Sequence, residues 1–210
     1  MGMFSFLSPK PATKIATNLY LGDKNHVPSD ADFVVVCSIE LMKGFVKLNK
    51  KHKIDIDEII ADPKKPRIFL RLVDWARFSD VNVETTIKAL NIIDEKIKEG
   101  KKVYVHCMYG VNRSASHCFM YVVGKKIINE PTFAKAFSKF KQIYPGINPI
   151  FGWKKLLKYY YPYYDFFDKD ATVLSKKTAY AKYRKDKWLA KVKKKAKRKE
   201  EKAHAKNFYK

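Results

Sequence analysis

The nine residues His106-Cys107-Met108-Tyr109-Gly110-Val111-Asn112-Arg113-Ser114 put a thiol, a flexible turn residue, a guanidinium and a hydroxyl within reach of one small ligand. They follow the apolar run Val103-Tyr104-Val105, so the loop leaves the end of a strand and runs into a helix. A strand-to-helix loop of this kind gathers backbone N–H groups and a helix N-terminus at one point, and such a nest prefers an anion. The same field stabilises a thiolate at Cys107. Gly110 allows a tight turn without a Cβ, and the planar fork of Arg113 suits two oxygens of a phosphate-shaped group. Nucleophile, amide nest and guanidinium around one phosphoryl group make a covalent phosphoryl-transfer site. The leaving oxygen needs a proton, which a carboxylic acid on a neighbouring loop can supply before acting as base toward water.

Four apolar runs are expected as strands that position this loop. "KIATNLYLGD" has the spacing of one short strand ending at the turn Gly22-Asp23, and "ADFVVVCSIE" is valine-rich and continuous, as in a strand buried on both faces. "PRIFLRLVDW", opened by Pro66, and "KKVYVHC" complete the set. Helical spacing is clearest in "DVNVETTIKALNIIDEKIKEG", where Val83, Ile87, Leu90, Ile93 and Ile97 recur and Gly100 stands at the C-cap. Further helices are expected in "SASHCFMYVVGKKI", "PTFAKAFSKFKQIY" and "IFGWKKLLKYYY", the last two separated by Asn148-Pro149. The fold expected is α/β, a central, mostly parallel sheet flanked by helices.

The stretch HCMYGVNRS resembles the His-Cys-x5-Arg-Ser/Thr signature of the cysteine-dependent phosphatases, and residues 12–164 resemble their dual-specificity branch. "IATNLYLGD", "IFLRLVDW" and "INPIFGWKKLL", with Trp153 where the family usually has Phe, carry the likeness in the same order along the chain. The resemblance implies a phosphotyrosine-phosphatase-like fold and hydrolysis of phosphotyrosine and phosphoserine or phosphothreonine. It implies that Cys107 attacks phosphorus, that Arg113 and the amides of Met108 to Arg113 hold the oxygens, that Ser114 helps the thiolate leave, and that His106 orients the loop. It places the general acid at Asp74, 33 residues before Cys107, with Asp80 as the alternative; Asp80 could equally cap the following helix. No cofactor and no metal are implied, since the nest and arginine neutralise the charge. An RNA 5′-phosphatase of the same superfamily stays open. That branch shares Asn112-Arg113 but continues Thr-Gly where this chain has Ser114-Ala115. "GVNRS" is also similar to phosphatases of large DNA viruses.

Composition bounds the remainder. With 46% apolar residues among 210, disorder is not expected, and three cysteines (Cys37, Cys107, Cys118) without metal-type spacing point to a reducing compartment. Cys37 and Cys118 read as core residues. No run is long enough for a membrane span and the first residues do not read as a signal peptide, so an intracellular placement is expected, cytoplasmic or nuclear, or in a virion. Gly2 lacks the Ser or Thr at position 6 that myristoylation requires. The net charge of +23 is uneven: residues 169–210 hold 17 Lys/Arg against 4 Asp/Glu. The organisation expected is a leader over 1–11, a catalytic domain over 12–164 and a basic extension over 165–210. That extension is a projecting helix or disordered, with a thin stripe at Trp188, Val192 and Ala196. Beyond a phosphoprotein substrate, it invites a nucleic-acid or acidic partner, and a binding scaffold is the remaining alternative.

Overall fold

The computed structural model describes residues 11–48 and 58–168, together with Arg198 and Glu201. The leader to residue 10 and nearly all of the basic extension, including Trp188, lie outside the described residues.

Six strands form one sheet in the order β1-β2-β6-β3-β5-β4. They are β1 (Thr13–Ala16), β2 (Leu19–Gly22), β3 (Phe33–Val36), β4 (Ile59–Ala61), β5 (Arg67–Leu70) and β6 (Val103–His106). The four inner strands run parallel and the two edges are antiparallel. Among the described residues of the domain, five α-helices flank the sheet: α1 (Ile39–Leu48), α2 (Val83–Lys98), α3 (Arg113–Gly124), α4 (Phe133–Ile143) and α5 (Phe151–Tyr159).

Strand alternation assigns the two cores. Val35 and Ile68 face the larger one, with Leu90, Phe119 and Trp153, while Val36 and Phe69 face a smaller one with Met42 and Phe45 beneath α1. All four residues of β6 are buried, as expected for a central strand covered on both sides. Helix α3 is buried from Arg113 to Val123, so it is the core helix of the domain despite carrying Arg113, two serines and His117.

Four local differences from the sequence reading have physical causes. "KIATNLYLGD" is two strands rather than one, because Asn18 adopts φ +59° and reverses the chain between β1 and β2. The run ending "CSIE" breaks at Ser38, whose hydroxyl accepts from Leu41 N (3.2 Å) and caps α1, a helix not anticipated. Edge strand β4 also escaped notice, three residues being too few to show a period. Helix α2 is capped by Asn82, whose Oδ1 accepts from Thr85 N (3.1 Å); Asp80 closes a separate 3-10 turn over Phe78–Asp80, which corrects its expected alternative role as the cap.

Register carries the sheet to the site. Gly22 and Val36 both stand opposite His106, and Val36 also pairs Phe69, so the C-terminal ends of the parallel strands finish level with one another beside Cys107. In open parallel sheets this edge is where ligands bind.

Candidate active site

The loop from β6 to α3 begins at His106, whose carbonyl accepts from Cys37 N (2.7 Å) while its Nδ1–H donates to the Cys107 carbonyl (3.1 Å). Burial lowers the basicity of the His106 imidazole, so the ring enters the loop as a neutral donor. Tyr104 donates to Asp23 O (2.7 Å), fixing the β2 turn under the loop. Gly110 has φ +71°, and a Cβ there would lie 2.7 Å from Gly22 O and 2.8 Å from Tyr144 Oη. Both the left-handed conformation and the close approach to β2 therefore require glycine. Met108 is half-buried and Tyr109 exposed, while Gly110, Val111 and Asn112 are buried, so the loop folds inward after Tyr109.

Cys107 is 2% exposed, and Ser114 Oγ donates to its Sγ at 3.2 Å across the loop. This bond places a hydroxyl where thiolate charge would reside.

Arg113 is 1% exposed, which for an unpaired guanidinium would cost several kcal/mol. Three oxygens offset that penalty. NH1 donates to Glu40 Oε2 (2.5 Å) and to Leu72 O (3.1 Å), and Nε lies 3.1 Å from Asp74 Oδ1 as an ion pair without hydrogen-bond alignment. Burial opposes the charge, but the neighbouring Cys107, Asp74 and Glu40 outweigh it and raise the guanidinium's pKa. Glu40 is itself held by Ser38 Oγ (2.6 Å); despite the opposing effect of partial burial, its bonds to Ser38 and Arg113 keep it below the usual carboxylate range.

Asp74 belongs to the loop after β5, and Asn112 ties it to the cysteine loop. Asn112 Nδ2 donates to Asp74 Oδ1 (2.8 Å) and to Asp74 O (3.0 Å), and its Oδ1 accepts from Ile150 N (3.2 Å). One buried side chain thus joins the cysteine loop, the Asp74 loop and the start of α5. Trp153 on α5 adds a second tie, donating from Nε1 to Val73 O (3.0 Å). Asp80 is elsewhere: it is paired with Arg77 Nε (3.0 Å) and exposed. The structure therefore brings His106, Cys107, Arg113, Ser114 and Asp74 together and leaves Asp80 outside.

Trp75 (69% exposed) and Phe151 (57%) stand with ring centroids 5.1 Å apart, one residue beyond Asp74 and Ile150 respectively. Phe151 holds φ +43°, an unfavourable backbone for an aromatic residue. They give the Asp74 side of the site an exposed aromatic rim, and Tyr109 is the exposed aromatic residue of the cysteine loop itself.

The family model for dual specificity phosphatase, catalytic domain, matches residues 19–162, which includes every residue of this constellation. The chain belongs to the dual specificity phosphatase family. A 52-residue stretch is 48% identical to AMV078 of Amsacta moorei entomopoxvirus, provisionally named a tyrosine-protein phosphatase; the match covers 25% of this chain and 32% of that relative. The chain thus aligns with about a third of the relative's length. Among solved structures, the human tyrosine phosphatase-like serine/threonine/tyrosine-interacting protein is similar with TM-score 0.54 at 19% identity, over 74% of this chain and 98% of that one. The PTP-2 phosphatase of Cydia pomonella is similar with TM-score 0.51 at 20% identity, over 71% of this chain and 89% of that one. These two likenesses show that the chain shares the fold of those two structures.

Several neighbours of the cysteine loop were not found from the sequence. Glu40 lay in a run read as strand, and only the Ser38 cap signal could have moved it to a helix start beside the loop. The clamp made by Asn112 and the rim made by Trp75 and Phe151 join residues 38 and 76 positions apart, which no local spacing reveals. Cys37 and Cys118 are fully buried, as core residues are.

Proposed function

We propose that this chain is a dual-specificity protein phosphatase, hydrolysing phosphotyrosine and phosphoserine or phosphothreonine, with residues 12–164 as its catalytic domain. The observation that carries this reading is the 3.2 Å approach of Ser114 Oγ to Cys107 Sγ in a loop to which Asn112 fastens the Asp74 carboxylate.

In the first step Cys107 Sγ, as thiolate, attacks phosphorus; an S–P bond forms, the P–O bond to the substrate breaks, and Asp74 delivers its proton to the departing oxygen. Arg113 and the amides from Met108 to Arg113 hold the non-bridging oxygens as charge shifts onto them. The substrate phosphate supplies Arg113 with further acceptors beside Glu40 and Asp74, whose oxygens hold the buried guanidinium. In the second step water attacks the phosphocysteine, Asp74 takes the water's proton, and the S–P bond breaks. Ser114 stabilises the thiolate that leaves. His106 acts as a positioning residue through the Cys107 carbonyl.

The aromatic rim favours an aryl ester beside the loop, which suits phosphotyrosine, while its openness leaves room for shorter phosphoserine and phosphothreonine. The basic extension over 165–210 would add salt-sensitive affinity for nucleic acid or acidic partners, and an intracellular setting suits a thiolate nucleophile. The test is a comparison of rates on a phosphotyrosine peptide, a phosphothreonine peptide, an aryl phosphate and triphosphate-ended RNA, with Cys107→Ser alongside. Both peptides should turn over faster than the RNA, and Cys107→Ser should lower every rate by more than about a thousand-fold. Retention of activity in Cys107→Ser, or RNA outpacing the peptides, would overturn the reading.

A further inference from the structure

A cleft of about 410 Å³ lies between α4 and the segment entering α5, outside the constellation around Cys107. Its apolar lining includes Phe133, Phe137, Ile147 and Pro149. Phe133 and Phe137 are stacked at 5.4 Å, and Ile147 is 3% exposed. Three exposed lysines, Lys141, Lys154 and Lys158, complete the lining, with Lys158 Nζ 5.8 Å from the Phe133 ring centre. Lys139 nearby is paired with Glu130 at 2.5 Å, whereas none of these three has a carboxylate partner among the described residues.

Three uncompensated ammonium groups around an apolar floor select both the sign and the shape of an occupant. A second copy of this chain, at +23, is repelled, and so is its own extension, where 17 cations face 4 anions. What fits is negative charge flanking an aromatic or aliphatic side chain that enters between the lysines and covers Phe133 and Phe137. The cleft is also joined to the cysteine loop: Asn148 N donates to Val111 O (2.7 Å), and Ile150 N to Asn112 Oδ1 (3.2 Å). An occupant would therefore be held one hydrogen-bonded segment from the residues that surround Cys107.

We propose that this cleft docks an acidic segment of the phosphoprotein substrate, one bearing an apolar anchor residue, away from the phosphorylated side chain itself. Its role in turnover rests on the phosphatase reading; its capacity to bind does not. Docking of this kind supplies affinity and approach rate, so its loss raises KM and leaves kcat alone.

The experiment uses the full chain and a fluorescein-labelled, unphosphorylated peptide with glutamates on both sides of a central phenylalanine. Anisotropy should show salt-sensitive binding that weakens at least about ten-fold in Lys154→Glu/Lys158→Glu, and comparably when the peptide's phenylalanine becomes serine. The milder Lys154→Gln/Lys158→Gln variant, with an unchanged melting temperature, guards against a folding artefact. In turnover, a phosphopeptide carrying the acidic segment should show raised KM and unchanged kcat in the charge-reversed variant, while aryl phosphate hydrolysis stays as in the unmodified chain. Equal peptide binding by all three proteins overturns the proposal, as does an equal loss on aryl phosphate. Displacement of the peptide by an oligonucleotide that binds more tightly, through the same lysines, would assign the cleft to nucleic acid and also overturn it. If the unmodified chain hydrolyses no aryl phosphate, the phosphatase reading fails, and the anisotropy arm still decides the cleft.

Discussion

If the chain is the phosphatase proposed above, replacing Asn112 by alanine should make it selectively poor on substrates with basic leaving groups. The side chain makes three hydrogen bonds, two to Asp74 and one from Ile150 N, and is 2% exposed. Its bond to the Asp74 carboxylate is charge-assisted, worth about 1.5–3 kcal/mol, and an unsatisfied Ile150 N–H adds about 1–3 kcal/mol where water does not reach it. Asn112→Ala should therefore destabilise the fold by about 2.5–6 kcal/mol and release Asp74 from its place over the loop. A positioned general acid contributes about a hundred-fold or more to a step that needs a proton. A phosphothreonine peptide has an alkoxide leaving group and should lose that factor in kcat. A nitrophenyl phosphate leaves without a proton and should lose only about three-fold, since less acid assistance is asked of Asp74. The measurement is the ratio of kcat on the two substrates, taken well below the variant's melting temperature. Asp74→Asn should shift the ratio the same way, and the double variant should add little to either, because the two side chains act as one unit. Equal losses on both substrates would refute this account of Asn112 as the residue that holds the acid.

Gly110→Ala combines a left-handed backbone with a Cβ 2.7 Å from Gly22 O; a stability loss of about 2–4 kcal/mol with a comparable drop in kcat/KM is expected, read by melting and by steady-state kinetics. His117 donates from Nδ1 to Arg113 O (2.8 Å), is fully buried, and its pKa is pushed by desolvation from 6.5 down to about 4. Above pH 6.5 it is neutral folded and unfolded; between about 6.5 and 4 only the unfolded chain takes the proton, so stability falls with pH across that window by about 3 kcal/mol. His117→Gln should flatten the denaturant-midpoint curve there, and an unaltered slope would contradict the assignment. Trp153→Ala removes a fully buried ring and its bond to Val73 O; a loss of about 3–5 kcal/mol is expected in chemical denaturation, with the Asp74 loop the first segment to gain amide exchange.

The cysteine loop could be read along the chain because its chemistry is local. A strand, a thiol, a glycine that must turn and an arginine at the head of a helix occupy consecutive positions, and each type is explained by its neighbours in sequence. The long helices were legible for the same reason: α2 repeats its apolar residues through four turns, whereas the three residues of β4 offer no period and Ser38 ends a valine run without changing its hydropathy. Asp74 was also within reach, through the run "IFLRLVDW" and its place 33 residues before Cys107; the strand itself ends at Leu70, so Asp74 stands in the loop beyond it rather than at the strand's end.

What the amino-acid order could not determine is which distant groups the sheet brings to that loop. Glu40 reaches Arg113 only because β3 and β6 lie side by side in a register that sets Val36 opposite His106. Asn112 joins Asp74 and Ile150 only because α5 packs Trp153 under the Asp74 loop. The aromatic rim and the lysine-lined cleft likewise join segments far apart in the chain. Residue types and local spacing determine which side chains can do chemistry; strand register and helix packing, which depend on burying apolar surface across the whole domain, decide which of them meet.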